Sequence, residues 1–110
     1  MTDEDIEKIK SAVESADHIP AEKKKEVVAA LTKLKPAIAN IADTHADEAH
    51  SIRRSVEAAA HEVARKDKRP EHLTTVLDDL KQSVEKFEAS HPELVASVNR
   101  YSTLLSALGI

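Results

Sequence analysis

Six histidines in a chain this rich in acids raise the question of a metal before any other. Asp43, His45, Asp47, Glu48 and His50 fall within one short segment, and Glu57, His61 and Glu62 follow in the next. On a helix, Asp47 and His50 are three apart and Glu57 and His61 four apart, so each pair shares a face and offers a carboxylate beside an imidazole. The candidate metal ligands are therefore His45, His50, His61, Asp47 and Glu57. Carboxylate-bridged dimetal bundles repeat Glu-x-x-His on inward faces. Here Glu88-x-x-His91 straddles a helix joint, and Asp47 and His50 fall on other sides of the helical wheel than His45. Solvated polar faces are the ordinary reading, and the expectation is no bound metal and no cofactor.

Other chemistries find less support. Cysteine is absent, which removes thiolate nucleophiles, disulfides and cysteine-based zinc sites. A single glycine leaves no material for a P-loop or a dinucleotide-binding turn. No nucleophile elbow or convergent acid pair is recognisable, so no catalytic residues and no enzymatic activity are expected. Arg100 and Tyr101 could mark a ligand mouth, but Tyr101 lies on an apolar stripe and reads as a core-edge residue with its hydroxyl in water.

Charge narrows the partners. The net charge is -4 with acids and bases interleaved, and the locally basic run Arg65-Lys66-Asp67-Lys68-Arg69 has no stacking aromatics beside it. Nucleic acid is not an expected partner, because phosphate binding needs a basic face. The N-terminal MTDEDIEKIK is acidic where a signal peptide would be basic and then apolar, and no apolar run approaches the ~20 residues that span a bilayer. Cytoplasmic residence without membrane association is the expectation.

The elements that position these groups are helical, since four prolines, one glycine and a third of residues charged describe long helices with short joints. The first helix should start with Thr2 as cap and Asp3, Glu4 and Asp5 at the positive end of its dipole, with Ile6, Ile9, Val13 and Ala16 as its stripe. It ends near Asp17-His18, and Pro20 suits the first turn of a second helix carrying Val27, Val28, Leu31 and Leu34. At Pro36 the apolar phase does not reset: Leu31, Leu34, Ile38, Ile41, His45, Ala49, Ile52, Val56, Ala59 and Val63 follow one another at steps of three or four. That spacing predicts a kinked but continuous helix from Pro20 to about Lys66, ~70 Å long. Two helices meeting at a corner are the alternative.

Arg69-Pro70 opens the next helix, with Leu73, Val76, Leu77, Leu80, Val84 and Phe87 on its stripe. Ser90-His91-Pro92-Glu93 reads as a stop and restart, with Ser90 as N-cap, Pro92 in the first turn and Glu93 completing a capping box. Leu94, Val98, Tyr101, Leu105 and Leu108 share one face of the last helix, which Val95 and Leu104 widen. Gly109 falls where a left-handed cap belongs, which would bring Ile110 back onto Leu105, with Arg100, a lysine or a subunit partner offsetting the negative helix end.

The expected fold class is thus all-α, an antiparallel helical bundle of four to five helices with a long, Pro-kinked central helix. Residues 1–110 form one domain: an N-terminal hairpin over 2–35, an alanine-rich central arm over 36–68 and a C-terminal hairpin over 70–110. The two hairpins are expected to supply most of the core. Alanine seams bury little area, at ~25 cal/mol per Å², but they let backbones approach closely. Ala42, His45, Ala49, Ile52, Val56 and Val63 are therefore the expected oligomer seam, completed by a second copy in a homo-oligomer, a dimer being favoured. If two arms pair, His45 makes association pH-dependent. The function expected is a non-enzymatic oligomeric scaffold or protein-interaction module, with an unidentified protein partner. The alternative is a metal- or small-ligand-binding bundle built on the central histidines and acids.

The run Phe87-Glu88-Ala89-Ser90-His91-Pro92, with Leu94, Val98, Leu105 and the closing Leu108-Gly109-Ile110, resembles an uncharacterised bacterial family, domain of unknown function 4404. The resemblance is concentrated in residues 80–110. It implies a small helical bacterial protein in which the SHP turn and the Gly-Ile end are fold features, and it implies no activity and no catalytic residues.

Overall fold

The computed structural model describes residues 3–109. Among them are five α-helices: α1 (Asp3–Glu14), α2 (Ala21–Ala42), α3 (Ala46–Ala64), α4 (Pro70–Val84) and α5 (Pro92–Gly109), with a 3-10 turn at Glu85–Phe87. Helices α2, α3, α4 and α5 form a four-membered ring. Each packs on its neighbours in the chain, α2 closes the ring against α5, and α3 and α5 also touch across its centre. Short joints make consecutive helices antiparallel. Helix α1 stands outside the ring, lying against α2 and α3. Its residues Ile6, Ile9 and Val13 are buried, and Ala16 and Ile19 continue the same strip through the following turn.

Proline does not end α2. Pro36 lies inside it, on the exposed face together with Thr32. The Thr32 carbonyl that loses its i+4 donor can therefore turn to water, which limits the cost of proline in a helix interior. The helix is nevertheless not continuous to Lys66. It ends at Ala42, and the chain reverses over residues 43–45, where His45 leaves the helical region at φ -135° and ψ 59°. A 70 Å rod is replaced by two helices folded together in a molecule 39 Å along its longest axis. Neither Pro36 nor the 35/36 boundary of the expected hairpin marks a joint. The apolar phase survives the reversal because α3 turns the same kind of stripe back toward the same core.

That folding back supplies the neighbour that the alanine seam requires. Ala49, Ile52, Val56 and Val63 are buried while α1, α2, α4 and α5 all pack on α3; Ala42 and His45 are half-buried. The seam is the inside of one chain, so the expectation that a second copy covers it is corrected: helices from the same chain already fill the space. The core is correspondingly shared among all five helices instead of being concentrated in two terminal hairpins.

Two further expectations change. Tyr101 is fully buried, and its hydroxyl donates to the Val56 carbonyl at 2.8 Å instead of meeting water. Gly109 belongs to α5, and among the described residues no glycine has a positive φ. Its role is close approach: a Cβ there would run into the Leu73 side chain of α4. The expected cap by Thr2 and the contact of Ile110 with Leu105 lie outside the described residues. A lysine does stand at this end, where Lys68 Nζ donates to the Leu108 carbonyl at 3.2 Å and complements the negative end of the α5 dipole.

Candidate functional site

Two groups of mutually engaged polar side chains lie at the ends of the ring. At the end where α2 meets α3 and α4 meets α5, Phe87 is buried between two imidazoles. His45 meets it edge to face with centroids 5.1 Å apart and His91 at 5.7 Å, a geometry that matches the ring quadrupoles. Each imidazole is also tied to the hydroxyl of the residue before it: Thr44 Oγ1 is 2.8 Å from His45 Nδ1 and Ser90 Oγ 3.0 Å from His91 Nδ1. Helix α5 begins at Pro92, so the residue preceding the first turn is His91 and not Ser90. The Ser90 hydroxyl goes to the His91 ring, and the expected N-cap moves by one position. Beside this turn lies a cavity of about 190 Å³ bordered by Asn40, Ser90, His91 and Glu93.

Lys86 links the same end to α3. Its Nζ donates to Glu48 Oε2 at 2.7 Å, and that bond, aided by backbone donation to the carboxylate, holds the Glu48 carboxyl below its ordinary range. Both side chains are substantially exposed, 56% for Lys86 and 32% for Glu48, so the pair adds little stability.

The opposite end carries a stronger clasp. Arg69 Nε and Nη2 donate to Glu62 Oε1 and Oε2, each at 2.7 Å, across the α3–α4 corner. Glu62 is 8% exposed. The Arg69 guanidinium beside it holds the Glu62 carboxyl below its usual range against the opposing effect of burial, with His72 and Arg65 adding to the positive surroundings. The Arg69 guanidinium is raised in turn by Glu62. Bidentate pairing of this kind fixes geometry as well as charge. The basic run Arg65 to Arg69 thus fastens the corner: Arg65 reaches Glu62 and Asp67, and Lys68 reaches the end of α5.

Of the candidate metal ligands the structure brings only His50 and Glu57 to one cleft, beside Arg53 and Arg54. His45 sits on Phe87, and His50 Nδ1 accepts from Arg53 Nη2 at 3.1 Å. Asp47 and His61 are exposed, and Glu57 is half-buried. Among the described residues no three histidine, aspartate or glutamate side chains form a group able to hold a metal ion. Nor is any described helix long and apolar enough to cross a membrane.

The family model for the domain of unknown function DUF4404 matches residues 27–110. The chain belongs to this family. The family domain takes in the whole ring from Val27 of α2 through α5, including the alanine-rich α3 and well beyond residues 80–110. Helix α1 lies outside it. No curated protein and no solved structure matches the chain.

The Glu62–Arg69 clasp and the paired imidazoles on Phe87 were not legible as such. A glutamate on the apolar phase of α3 next to Val63, seven residues before an arginine that precedes proline, is the signal that could have pointed to the clasp. The His45–Phe87 contact depends on the reversal at 43–45 and has no local signature.

Proposed function

We propose that this protein is a non-enzymatic helical module that works by binding another protein. The observation that supports this reading is how the polar groups are used. Glu62 is engaged by Arg69, Glu48 by Lys86, Tyr101 by a backbone carbonyl and the two imidazoles by hydroxyls and Phe87. A catalytic constellation needs functional atoms that converge on a space where a reacting atom can sit. Here they converge on one another and hold the helix corners. With Ile52 and Val56 buried in the chain's own core, self-association through the α3 seam loses its support, and the partner is taken to meet the outer faces of the bundle.

The small-ligand reading keeps two observations in its favour: a cleft of about 350 Å³ bordered by His50 and Glu57, and the cavity at the SHP turn with Asn40, His91 and Glu93 on its border. At about 190 Å³ the latter is smaller than the ~300–1,000 Å³ common for ligand pockets. Affinity purification of the untagged full chain, followed by elemental analysis and quantitative mass spectrometry, separates the two readings. A stoichiometric protein partner with no stoichiometric metal or small molecule is the expected result. A stoichiometric metal or retained small molecule, without a protein partner, would overturn the proposal.

A further inference from the structure

The boundary of the family domain divides the core into two unequal parts. The ring from Val27 onward closes on itself, whereas α1 is an added segment that lies in the outer groove between α2 and α3. It enters that groove as an amphipathic helix, with Ile6, Ile9 and Val13 at steps of three and four and Ala16 after them, all buried. Its sequence is acidic, with five acids against two lysines over Asp3–Glu14. The groove answers in kind. His50, Arg53 and Arg54 of α3 gather beside Asp5, with Glu57 as the one acid among them. At the other end Lys24 Nζ donates to the Glu14 carbonyl at 2.8 Å, filling an orphan acceptor of α1's last turn. The tether is held by His18 Nε2, which donates to the Val63 carbonyl at 2.9 Å.

We infer that the α2–α3 groove is a docking site for an acidic amphipathic helix of a partner protein, and that α1 occupies this site in cis as a displaceable strap. This inference rests on the interaction-module reading and names its surface. The recognition is of the helix-in-groove kind: aliphatic anchors spaced over three turns fill the groove, while a basic rim selects acidic partners. A helix of α1's length is marginal by itself, so it forms on the groove and is lost when it leaves. Its short tether keeps it at an effective concentration in the millimolar range, which blocks weak competitors and yields to a tighter or longer helix.

The test uses the full chain. Ile9→Glu with Val13→Glu places two charges on the strip that α1 buries and should eject it from the groove. A fluorescent peptide with the sequence of residues 1–19 is then titrated into the wild-type chain and into this variant. The expected result is a variant that keeps a cooperative helical melt and binds the peptide about 100-fold more tightly than wild type, since the cis competitor is gone. Adding Arg53→Glu and Arg54→Glu should weaken that binding about 10-fold or more, as should raising the salt concentration.

The inference is overturned if the variant loses its cooperative melt, because α1 would then be part of the fold and not a strap on it. A folded variant that does not bind the peptide, or binds it regardless of the two arginines, also overturns it. So does a wild-type chain that runs at twice its 12.0 kDa mass and falls to one copy in the variant, since the occupant would then be α1 of a second copy. If the groove fails while a stoichiometric protein partner is still recovered, the interaction-module reading stands and another face carries it.

Discussion

Tyr101 offers an internal reporter of the core, because it is the sole tyrosine and the chain has no tryptophan. Its hydroxyl is fully buried and bonded to Val56 O of α3, and burial pushes its ionisation well above the ordinary value of 10.0. The sign follows from linkage. A group whose pKa is higher in the folded state stabilises fully below the unfolded value, and that stability drains away as pH rises above it. Above pH 10, each unit should remove about 1.4 kcal/mol from a total of about 5–15 kcal/mol. Tyr101→Phe deletes the hydroxyl and leaves one lone pair of the Val56 carbonyl without its donor, at a cost of about 1 kcal/mol near neutrality, but it also removes the alkaline slope. The two stability curves should therefore cross at about pH 10.7. Urea denaturation followed by circular dichroism from pH 8 to 11.5 gives both curves, and the near-ultraviolet tyrosinate band should appear only together with loss of helix. Tyrosinate forming near pH 10 with the helical signal intact, or equal slopes for the two proteins, would refute the burial of this hydroxyl.

Other perturbations test the remaining joints. Ile52→Glu should abolish the cooperative melt, because it places a charge at a fully buried position, and Ile52→Ala should cost about 2–5 kcal/mol by urea titration. Gly109→Ala should lower stability by about 1–3 kcal/mol, since the new methyl group forces the buried Leu73 side chain out of place; Leu73→Val should relieve part of that loss. Glu62→Gln should cost about 1–2 kcal/mol at pH 7, measured as a urea midpoint shift. Because the Glu62 carboxyl titrates below 4.5 in the folded chain, wild-type stability should be full above that pH and fall as pH drops through the lowered value, while the Gln variant lacks this part of the acid dependence.

Much of the bundle is legible in the spacing of its aliphatics. The stripes Leu73 to Val84 and Leu94 to Leu105 place α4 and α5 correctly, and Pro70 and Pro92 mark their first residues because proline lacks a donor that those positions do not need. Pro36 also reads correctly as a proline that a helix passes through. The break at Asp43-Thr44-His45 does not announce itself, since no glycine or proline stands there and the apolar phase runs on. What decides it is tertiary: folding α3 back lets Ile52 and Val56 join the same core and lets His45 reach Phe87, gains that local propensity does not contain. Asp47, a candidate metal donor from its spacing to His50, belongs with Glu48 to the first turn of α3, where both favour the positive helix end. For the same reason the alanine seam correctly signals a close neighbour without saying which chain provides it. Glu62 and Arg69 show the converse case, two charged residues that look solvated along the chain and form a clasp only once the corner between α3 and α4 is made.

The most direct test of a closed ring carrying a detachable strap is native-state amide hydrogen exchange resolved by residue. In the intact chain the amides of Ile9 to Val13 in α1 should exchange through a local opening, at least about 100-fold faster than those of Ile52 to Val56 in α3, which should exchange only with global unfolding. If α1 and α3 instead exchange at the same rate with the same response to denaturant, the five helices form one cooperative unit and α1 is not a strap.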